Sequence, residues 1–138
     1  MSNATTWAVL TDGRYIRILV NHGTDTKLLT LKAEENDAYA ELCYQVVNRK
    51  PKHLAGQSVK AEEQLDYLQL VADFLSNQYD QHLFDRMVIA APEPVIKELK
   101  ARLTDTLKPL IFGERTEDLL AKSNDEIEKS LANIIIDS

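Results

Sequence analysis

Positively charged residues are concentrated in one segment near the middle of the chain. No aspartate or glutamate occurs between Glu41 and Glu62, and the four lysines and arginines there carry +4. Because the whole chain carries −6, the remainder carries −10. A cluster of cations without neighbouring acids is suited to neutralising the phosphates of RNA. Within residues 49–60, which we call the basic segment, the predicted RNA-contacting residues are Arg49, Lys50, Lys52, His53 and Lys60.

A metal-dependent nuclease is a second chemistry to consider, because "TDG" after a first strand resembles the start of ribonuclease H. Two-metal cleavage needs several converging carboxylates. Asp12 and one of Glu62 or Glu63 could contribute, but the strand that should supply another acid reads "MVIAAP" and has none. Asp12 is better explained as a hairpin-turn residue. The three histidines have no ligand spacing, so we expect no metal and no other cofactor.

Composition favours one ordinary globular domain. A chain of 138 residues can bury a real core, so residues 1–138 are predicted to form a single domain. No apolar run approaches the roughly 18 residues of a membrane helix, which argues against membrane insertion. The first residues do not have the pattern of a secretory signal, so a cytoplasmic location is expected. Cys43, the only cysteine, lies in an apolar pattern and is interpreted as a buried core thiol.

The first third of the chain is typical of an antiparallel meander. Apolar and alternating runs at 6–11, 15–21 and 26–33 predict three strands, and Asp12-Gly13 between the first two is a strong hairpin signal. Residues 37–49 then suit a helix capped by Asp37, although Val46-Val47 would also suit a strand. Its predicted apolar stripe consists of Ala40, Cys43, Tyr44 and Val47.

The rest of the chain alternates helices and strands. Apolar spacing predicts a helix over 61–83, and the uninterrupted run at 87–90 predicts a central strand covered on both faces. A helix opening at Pro92 and Pro94 follows, with Val95, Leu99 and Leu103 on one side, and then a short strand within 107–115 that ends near Gly113. Ser123 and Glu126 form a capping-box signature for a closing helix, whose buried stripe is Ile127, Leu131 and Ile134.

This order of elements predicts the α/β class, with a mixed sheet, an N-terminal antiparallel meander and flanking helices. Three strings in this order resemble the host attachment protein family, the bacterial relatives of the middle domain of archaeal and eukaryotic release factors. They are "TWAVLTDGRYIRIL" at the start, "FDRMVIAAP" at 84–92 and "EDLLAKSNDEIEKSLA" near the end. The resemblance implies a ribonuclease-H-like domain of the release-factor middle-domain type that acts in translation or ribosome rescue.

The same resemblance implies a catalytic role for Gly56 and Gln57. Release factors carry Gly-Gly-Gln in a loop before a long helix, where the glycines let the backbone approach the ester of peptidyl-tRNA. The glutamine and its peptide N–H then orient water or stabilise the oxyanion. By this resemblance Gln57 and Gly56 are the candidate catalytic residues. Ala55 stands at the place of the first glycine, where a positive φ costs about 1–2 kcal/mol, so we expect a catalytically degenerate loop.

Three functions therefore stay open. The first is a translation- or ribosome-associated protein that contacts RNA through the basic segment, with the ribosome or tRNA as partner. The second is a protein-interaction module linked to host-cell attachment with no RNA role. The third is a peptidyl-tRNA hydrolase that uses the Ala-Gly-Gln loop. A homodimer through an edge strand of the sheet is a further expectation.

Overall fold

The computed structural model describes residues 4–13, 15–22, 28–48 and 61–136, and within these ranges it describes 44–48, 61–66 and 132–136 by their backbone alone. Five strands and four α-helices are present in the described part of the chain. The strands are β1 (Thr6–Thr11), β2 (Ile16–Asn21), β3 (Leu29–Thr30), β4 (Arg86–Ala90) and β5 (Ile111–Arg115). The helices are α1 (Asp37–Asn48), α2 (Ala61–Asp80), α3 (Glu93–Arg102) and α4 (Asn124–Ile136).

The strands form one mixed sheet in the order β3-β2-β1-β4-β5. β1 pairs with β2 in antiparallel and with β4 in parallel register, and β5 continues the parallel side. The predicted α/β class, mixed sheet and N-terminal meander are confirmed. Of the strand expected over 26–33, residues 26 and 27 lie outside the described residues. In the rest, Leu29 and Thr30 pair with β2, and the chain then turns into a short 3-10 helix at Ala33–Glu35.

Each face of the sheet has its own hydrophobic core, because successive residues of a strand point to opposite faces. Trp7 and Val9 of β1 face α1, α2 and α3, whereas Ala8 and Leu10 face α4. All six residues of β1 are buried, which makes it the centre of the fold. β4, predicted as a central strand, lies between β1 and β5 and is also buried on both faces.

The amino ends of β1 and β4 are fastened together by three consecutive residues on each side. The contacts are Phe84 stacked on Trp7 (ring centroids 4.7 Å apart), Asp85 Oδ2 accepting from Thr5 N–H (2.7 Å), and Arg86 Nε donating to Thr6 Oγ1 (2.9 Å). The Arg86 guanidinium also lies 4.4 Å from the centre of the Phe112 ring, which ties β5 to the same place. The Phe-Asp-Arg string of the second resemblance motif is therefore structural.

The face covered by α4 is held by two arginines of the sheet. Arg17 donates to the carbonyls of Leu120 and Lys122 (both 2.8 Å) and to Asn124 Oδ1 (2.7 Å). Arg115 donates to the carbonyl of Ser130 at 2.8 Å. Bonds from a guanidinium to carbonyls satisfy polar groups at this small core. They position α4 more specifically than its two described core side chains, Ile127 and Leu131, would do alone.

Side chains of α4 also reach the edge strand β3. Glu128 Oε2 accepts from the backbone N–H of Leu28 (3.0 Å), and Asn124 Nδ2 donates to Thr30 Oγ1 (2.9 Å). The Glu128 contact covers a backbone N–H beside β3 of the kind that an edge strand otherwise offers to another chain. At the other edge, β5 has a register irregularity beside Met87 and Val88, which also discourages pairing. Dimerisation through an edge strand stays a prediction.

The predicted helix starts were recovered with one correction, at α1. The Ser123–Glu126 capping box is present: Ser123 N–H donates to Glu126 Oε1 and Glu126 N–H to Ser123 Oγ, both at 3.2 Å. Hydrogen bonds from Ser123 lower the pKa of the Glu126 carboxyl. The cap of α1 is Asn36 rather than Asp37, since Asn36 Oδ1 accepts from the N–H of Tyr39 at 2.9 Å. The strand after α3 was also misjudged, because it continues past Gly113 to Arg115.

α2 ends at Asp80, three residues before the predicted limit, because the chain reverses at His82. The N–H of His82 donates to the carbonyl of Tyr79 (2.8 Å) and that of Leu83 to the carbonyl of Gln78 (3.1 Å). This pair of bonds is a Schellman cap, which places its C′ residue in the left-handed region. His82 takes that position with φ of 62°, where a glycine has no Cβ strain.

Replacing His82 by glycine should therefore raise the free energy of unfolding by about 0.5–1 kcal/mol, since the left-handed strain disappears and part of the gain is offset by glycine's greater freedom when unfolded. Urea denaturation measures the change. His82→Ala is the matched control, because it removes the imidazole and keeps the Cβ. Equal stability of the glycine and alanine variants would contradict the assignment of strain to this residue.

Candidate nucleic-acid interface

The basic segment connects α1 to α2, and all of it lies outside the residues that the structure describes. This covers the predicted RNA-contacting residues and the candidate catalytic pair. They are Arg49, Lys50, Lys52, His53 and Lys60, and Gly56 and Gln57. What the structure does describe is the pair of helices to which the segment is attached at both ends, and these determine which end of the sheet the segment belongs to.

The end of α2 lies at the amino ends of the parallel strands. Only five residues separate Asp80, the last residue of α2, from β4, and Asp85 in that short connection is bonded to Thr5 beside β1. The start of α1 lies at the same end, because Asn36 Nδ2 donates to Oε1 of the buried Gln78 at 2.7 Å. α1 and α2 therefore run in opposite directions, and their junction lies away from this end.

That junction lies at the carboxyl ends of β1 and β4. A helix of 20 residues is about 30 Å long, whereas a strand of six residues spans about 20 Å. Starting from the amino ends, α2 therefore crosses the whole sheet and extends about 10 Å further. In open α/β sheets, ligands bind outside the carboxyl ends of the strands. The basic segment is attached at the end of the molecule where this rule expects a site.

Burial of α1 and α2 keeps these two helices in fixed positions. Tyr39 and Leu42 of α1 lie in the core, and Tyr39 packs against Phe74 of α2 with ring centroids 6.0 Å apart. Phe74 in turn stacks on Trp7 of β1 at 6.0 Å. Of the predicted stripe of α1, Ala40 and Cys43 are only partly buried, and the buried positions are Tyr39 and Leu42, one residue earlier. The side chains of the other predicted members, Tyr44 and Val47, lie outside the described set.

The side chains of Tyr39 and Cys43 are neutral groups rather than reactive ones. Burial raises the pKa of the Tyr39 hydroxyl above its ordinary value, and burial also raises the pKa of the Cys43 thiol. Because the thiolate is the nucleophilic form, a raised thiol pKa disfavours catalysis by this cysteine. Cys43 packs at the margin of the core as a small hydrophobic residue, less buried than predicted.

The turn between β1 and β2 lies at the same carboxyl end. Thr11 Oγ1 accepts from the N–H of Gly13 (3.0 Å) and donates to the carbonyl of Tyr15 (2.7 Å), while Asp12 Oδ1 accepts from the N–H of Tyr15 (2.9 Å). Gly13 has φ of 90°, which a glycine adopts without strain. The interpretation of Asp12 as a turn residue is confirmed. Tyr15, at the end of this turn, is 41% exposed.

Neither a metal site nor a membrane span emerges from the part of the chain that the structure describes. Across residues 4–13, 15–22, 28–48 and 61–136, no three His, Cys, Asp or Glu side chains are grouped closely enough to hold a metal ion. Among the helices in those ranges, none combines the length and the apolarity needed to cross a bilayer.

A groove at the opposite end of the sheet was not anticipated. This amino-end groove has a volume of about 660 Å³ and an apolar lining with a polar rim. Its apolar residues are Trp7, Val20, Leu29, Leu31 and Leu83, and its rim includes His22, Lys32, Glu35 and Asn36. Because several separate elements each contribute only a few residues, no local pattern in the sequence marks it.

The comparison with protein families supports the resemblance noted in the sequence. The model of a family described as "Bacterial archaeo-eukaryotic release factor family 12" matches residues 5–131, which include all five strands. No curated protein matches the chain significantly. The release-factor relationship is confirmed, whereas the name host attachment receives no support from this match. The chain belongs to bacterial archaeo-eukaryotic release factor family 12.

Proposed function

We propose that this protein acts in translation by contacting the RNA of the ribosome or of tRNA through the basic segment. Membership of a release-factor family supports a role in translation. The observation that carries the RNA contact is the segregation of charge. The segment holds four lysines and arginines in a stretch without a single acid, in a chain whose net charge is −6.

The uneven distribution of charge also determines which part of the protein RNA approaches. An acidic surface repels the phosphate backbone, and the residues outside the basic segment together carry −10. RNA is therefore attracted to one part of the molecule and repelled by the rest. Since both ends of the segment are attached at the carboxyl end of the sheet, this is the end that would face RNA. We also infer that residues 1–138 act as one domain, because every described helix packs on the single sheet.

Neutralising Arg49, Lys50, Lys52 and Lys60 to glutamine should abolish co-sedimentation with ribosomes. Each phosphate contact contributes about 0.7 to 0.9 to the slope of log K against log salt. If wild type makes four such contacts, raising the salt concentration from 50 to 200 mM should weaken its binding about 50- to 150-fold. The variant should pellet poorly at every salt concentration, with a slope close to zero.

The control is a variant with the same net charge and an intact basic segment. It replaces four exposed lysines elsewhere, namely Lys97, Lys108, Lys122 and Lys129, by glutamine. Both variants carry −10, so a difference between them reports on position rather than on total charge. If wild type stays in the supernatant at low salt, or if the two variants pellet alike, RNA contact through this segment is wrong.

Peptidyl-tRNA hydrolysis is a second candidate, favoured by the presence of Gly56 and Gln57 within the basic segment. A peptide N–H and a glutamine amide are suitable groups for orienting water and stabilising an oxyanion. Ala55 opposes this chemistry, since a residue with a Cβ enters positive φ at a cost of about 1–2 kcal/mol. We therefore propose a catalytically degenerate loop, with weak hydrolysis at most.

Two substitutions test the hydrolase candidate. Gln57→Ala should remove any peptide release from peptidyl-tRNA, and Ala55→Gly should increase it about 5- to 30-fold if the strain at this position limits the rate. Release of labelled peptide is the measurement, and ribosome binding by the same variants is the control. Equal rates for wild type and Gln57→Ala would exclude catalysis by this loop.

A protein-interaction module linked to host-cell attachment, with no RNA role, is the rival from another class. The amino-end groove favours it, because Leu29 and Leu83 expose 54% and 42% of their surface there. The sedimentation experiment distinguishes the two functions, since a protein partner bound at this groove would be insensitive to charge at the opposite end of the sheet.

A further inference from the structure

The amino-end groove contains two of the three large hydrophobic side chains that are exposed in the described part of the chain. Leu29 of β3 is 54% exposed, and Leu83, in the connection from α2 to β4, is 42% exposed. Both line one concave surface of about 660 Å³, a volume within the range of ligand-binding pockets. An apolar patch that is contiguous and has a polar rim marks an interaction site, whereas single exposed leucines do not.

The backbone turns Leu83 toward the groove and away from α2. Leu83 is the C″ residue of the Schellman cap, where the side chain commonly packs on the helix residues C3 and C4, which here are Gln78 and Asn77. Both are polar, so neither offers the usual apolar contact. Leu83 lines the groove instead, and it directly follows His82, which holds the left-handed conformation. Backbone strain that fixes a side chain in an exposed position is typical of functional sites.

Carboxylates predominate around the groove. Glu34 and Glu35 lie in the 3-10 helix at its rim, and Asp37 begins α1 shortly after them. All three are exposed. Asp85 adds a fourth carboxylate, since it accepts from the backbone N–H of a residue in the lining. Among the described residues of the lining, Lys32 is the only lysine or arginine, so the surroundings of the groove are negatively charged.

The negative charge restricts which molecules can occupy the groove. Phosphates of RNA and anionic lipid headgroups are repelled. Two copies of this chain that faced each other through this groove would bring identical acidic rims together, since a twofold interface is self-complementary. An added β-strand is disfavoured as well, because the Glu128 carboxylate already accepts from the N–H of Leu28 beside β3. A cationic helix with one apolar side meets none of these obstacles.

We propose that the amino-end groove binds a basic amphipathic helix of another protein. Apolar side chains three or four residues apart on that helix pack on Leu29 and Leu83, as in other helix-in-groove complexes. Its lysines or arginines lie against Glu34, Glu35 and Asp37, and this complementarity of charge selects the partner. The site is independent of the RNA contact proposed for the opposite end of the sheet. A chain that uses both ends would link a protein partner to RNA.

Two designed helical peptides test this site on the full chain. One carries leucines at helical spacing with lysines between them, and in the other every lysine is replaced by glutamate. Fluorescence anisotropy measures the affinity, and amide chemical shifts in NMR spectra locate the contact. The leucine–lysine peptide should bind and shift the amides around Leu29, Leu83 and residues 33–37. The leucine–glutamate peptide should bind at least about 10-fold more weakly, because its carboxylates meet those of the rim.

Substitutions in the groove separate the apolar contribution from the electrostatic one. Leu83→Ala should weaken binding of the leucine–lysine peptide about 5- to 30-fold with the salt dependence unchanged, since it removes apolar contact alone. Joint replacement of Glu34 and Glu35 by glutamine should weaken binding about 2- to 10-fold and reduce its salt dependence. The matched control replaces Glu93 and Glu98 of α3 by glutamine, which changes the net charge equally on another exposed surface and should leave the affinity unchanged.

Thermal melting checks that each variant is folded. The proposed site is wrong if the leucine–lysine peptide does not bind, if the shifted amides lie away from the groove, or if the groove variants bind as tightly as the control. Equal affinities for the two peptides would overturn selection by charge. A wild-type dimer in size-exclusion chromatography that Leu83→Ala dissociates would assign the groove to a second copy instead. RNA binding is tested by the sedimentation experiment and does not depend on these results.

Discussion

The parallel pairing of β1 with β4 is the constraint on which the other parts of the structure depend. It is fastened at the amino ends by a stacked pair of rings, a carboxylate that accepts a backbone N–H, and a guanidinium bonded to a threonine. Because β4 runs parallel to β1, the chain must enter it at the amino end, so α2 has to cross the sheet from the carboxyl end. The attachment of the basic segment beyond the carboxyl ends is a consequence of this pairing.

The two ends of the sheet are physically different as a result. The amino end contains the packed rings of Trp7, Phe74 and Phe84 and the hydrogen bond between Asn36 and Gln78, which together hold α1 and α2 in place. Deleting a large buried ring costs about 3–5 kcal/mol, so this end dominates stability. The carboxyl end has the short turn after β1 and the connection that carries the cations. The contacts that stabilise the fold therefore lie at the amino end of the sheet, and the residues of the proposed function belong to the carboxyl end.

Local signals in the sequence predicted most of the fold. Asp12-Gly13 marks the hairpin and Ser123-Glu126 the start of α4, because each is a hydrogen-bonding pattern completed within a few residues. The capping role of Asn36 was missed although its bond to the Tyr39 N–H is local, because Asn36 and Asp37 are both suitable cap residues. The burial of Gln78 was missed, since its partner Asn36 lies 42 residues away. The amino-end groove was missed for the same reason. The charge of the basic segment could be read directly from the sequence, whereas its attachment at the carboxyl end of the sheet needs the packed structure.

Cross-linking tests most directly whether the carboxyl end faces RNA. The protein bound to ribosomes would be irradiated with ultraviolet light, and mass spectrometry would identify the peptides joined to nucleotides. Cross-links are expected in the basic segment, and none are expected around Leu29 or Leu83. Cross-links confined to the residues of the amino-end groove would contradict RNA contact at the carboxyl end of the sheet. So would a protein that pellets with ribosomes and forms no cross-link in the basic segment.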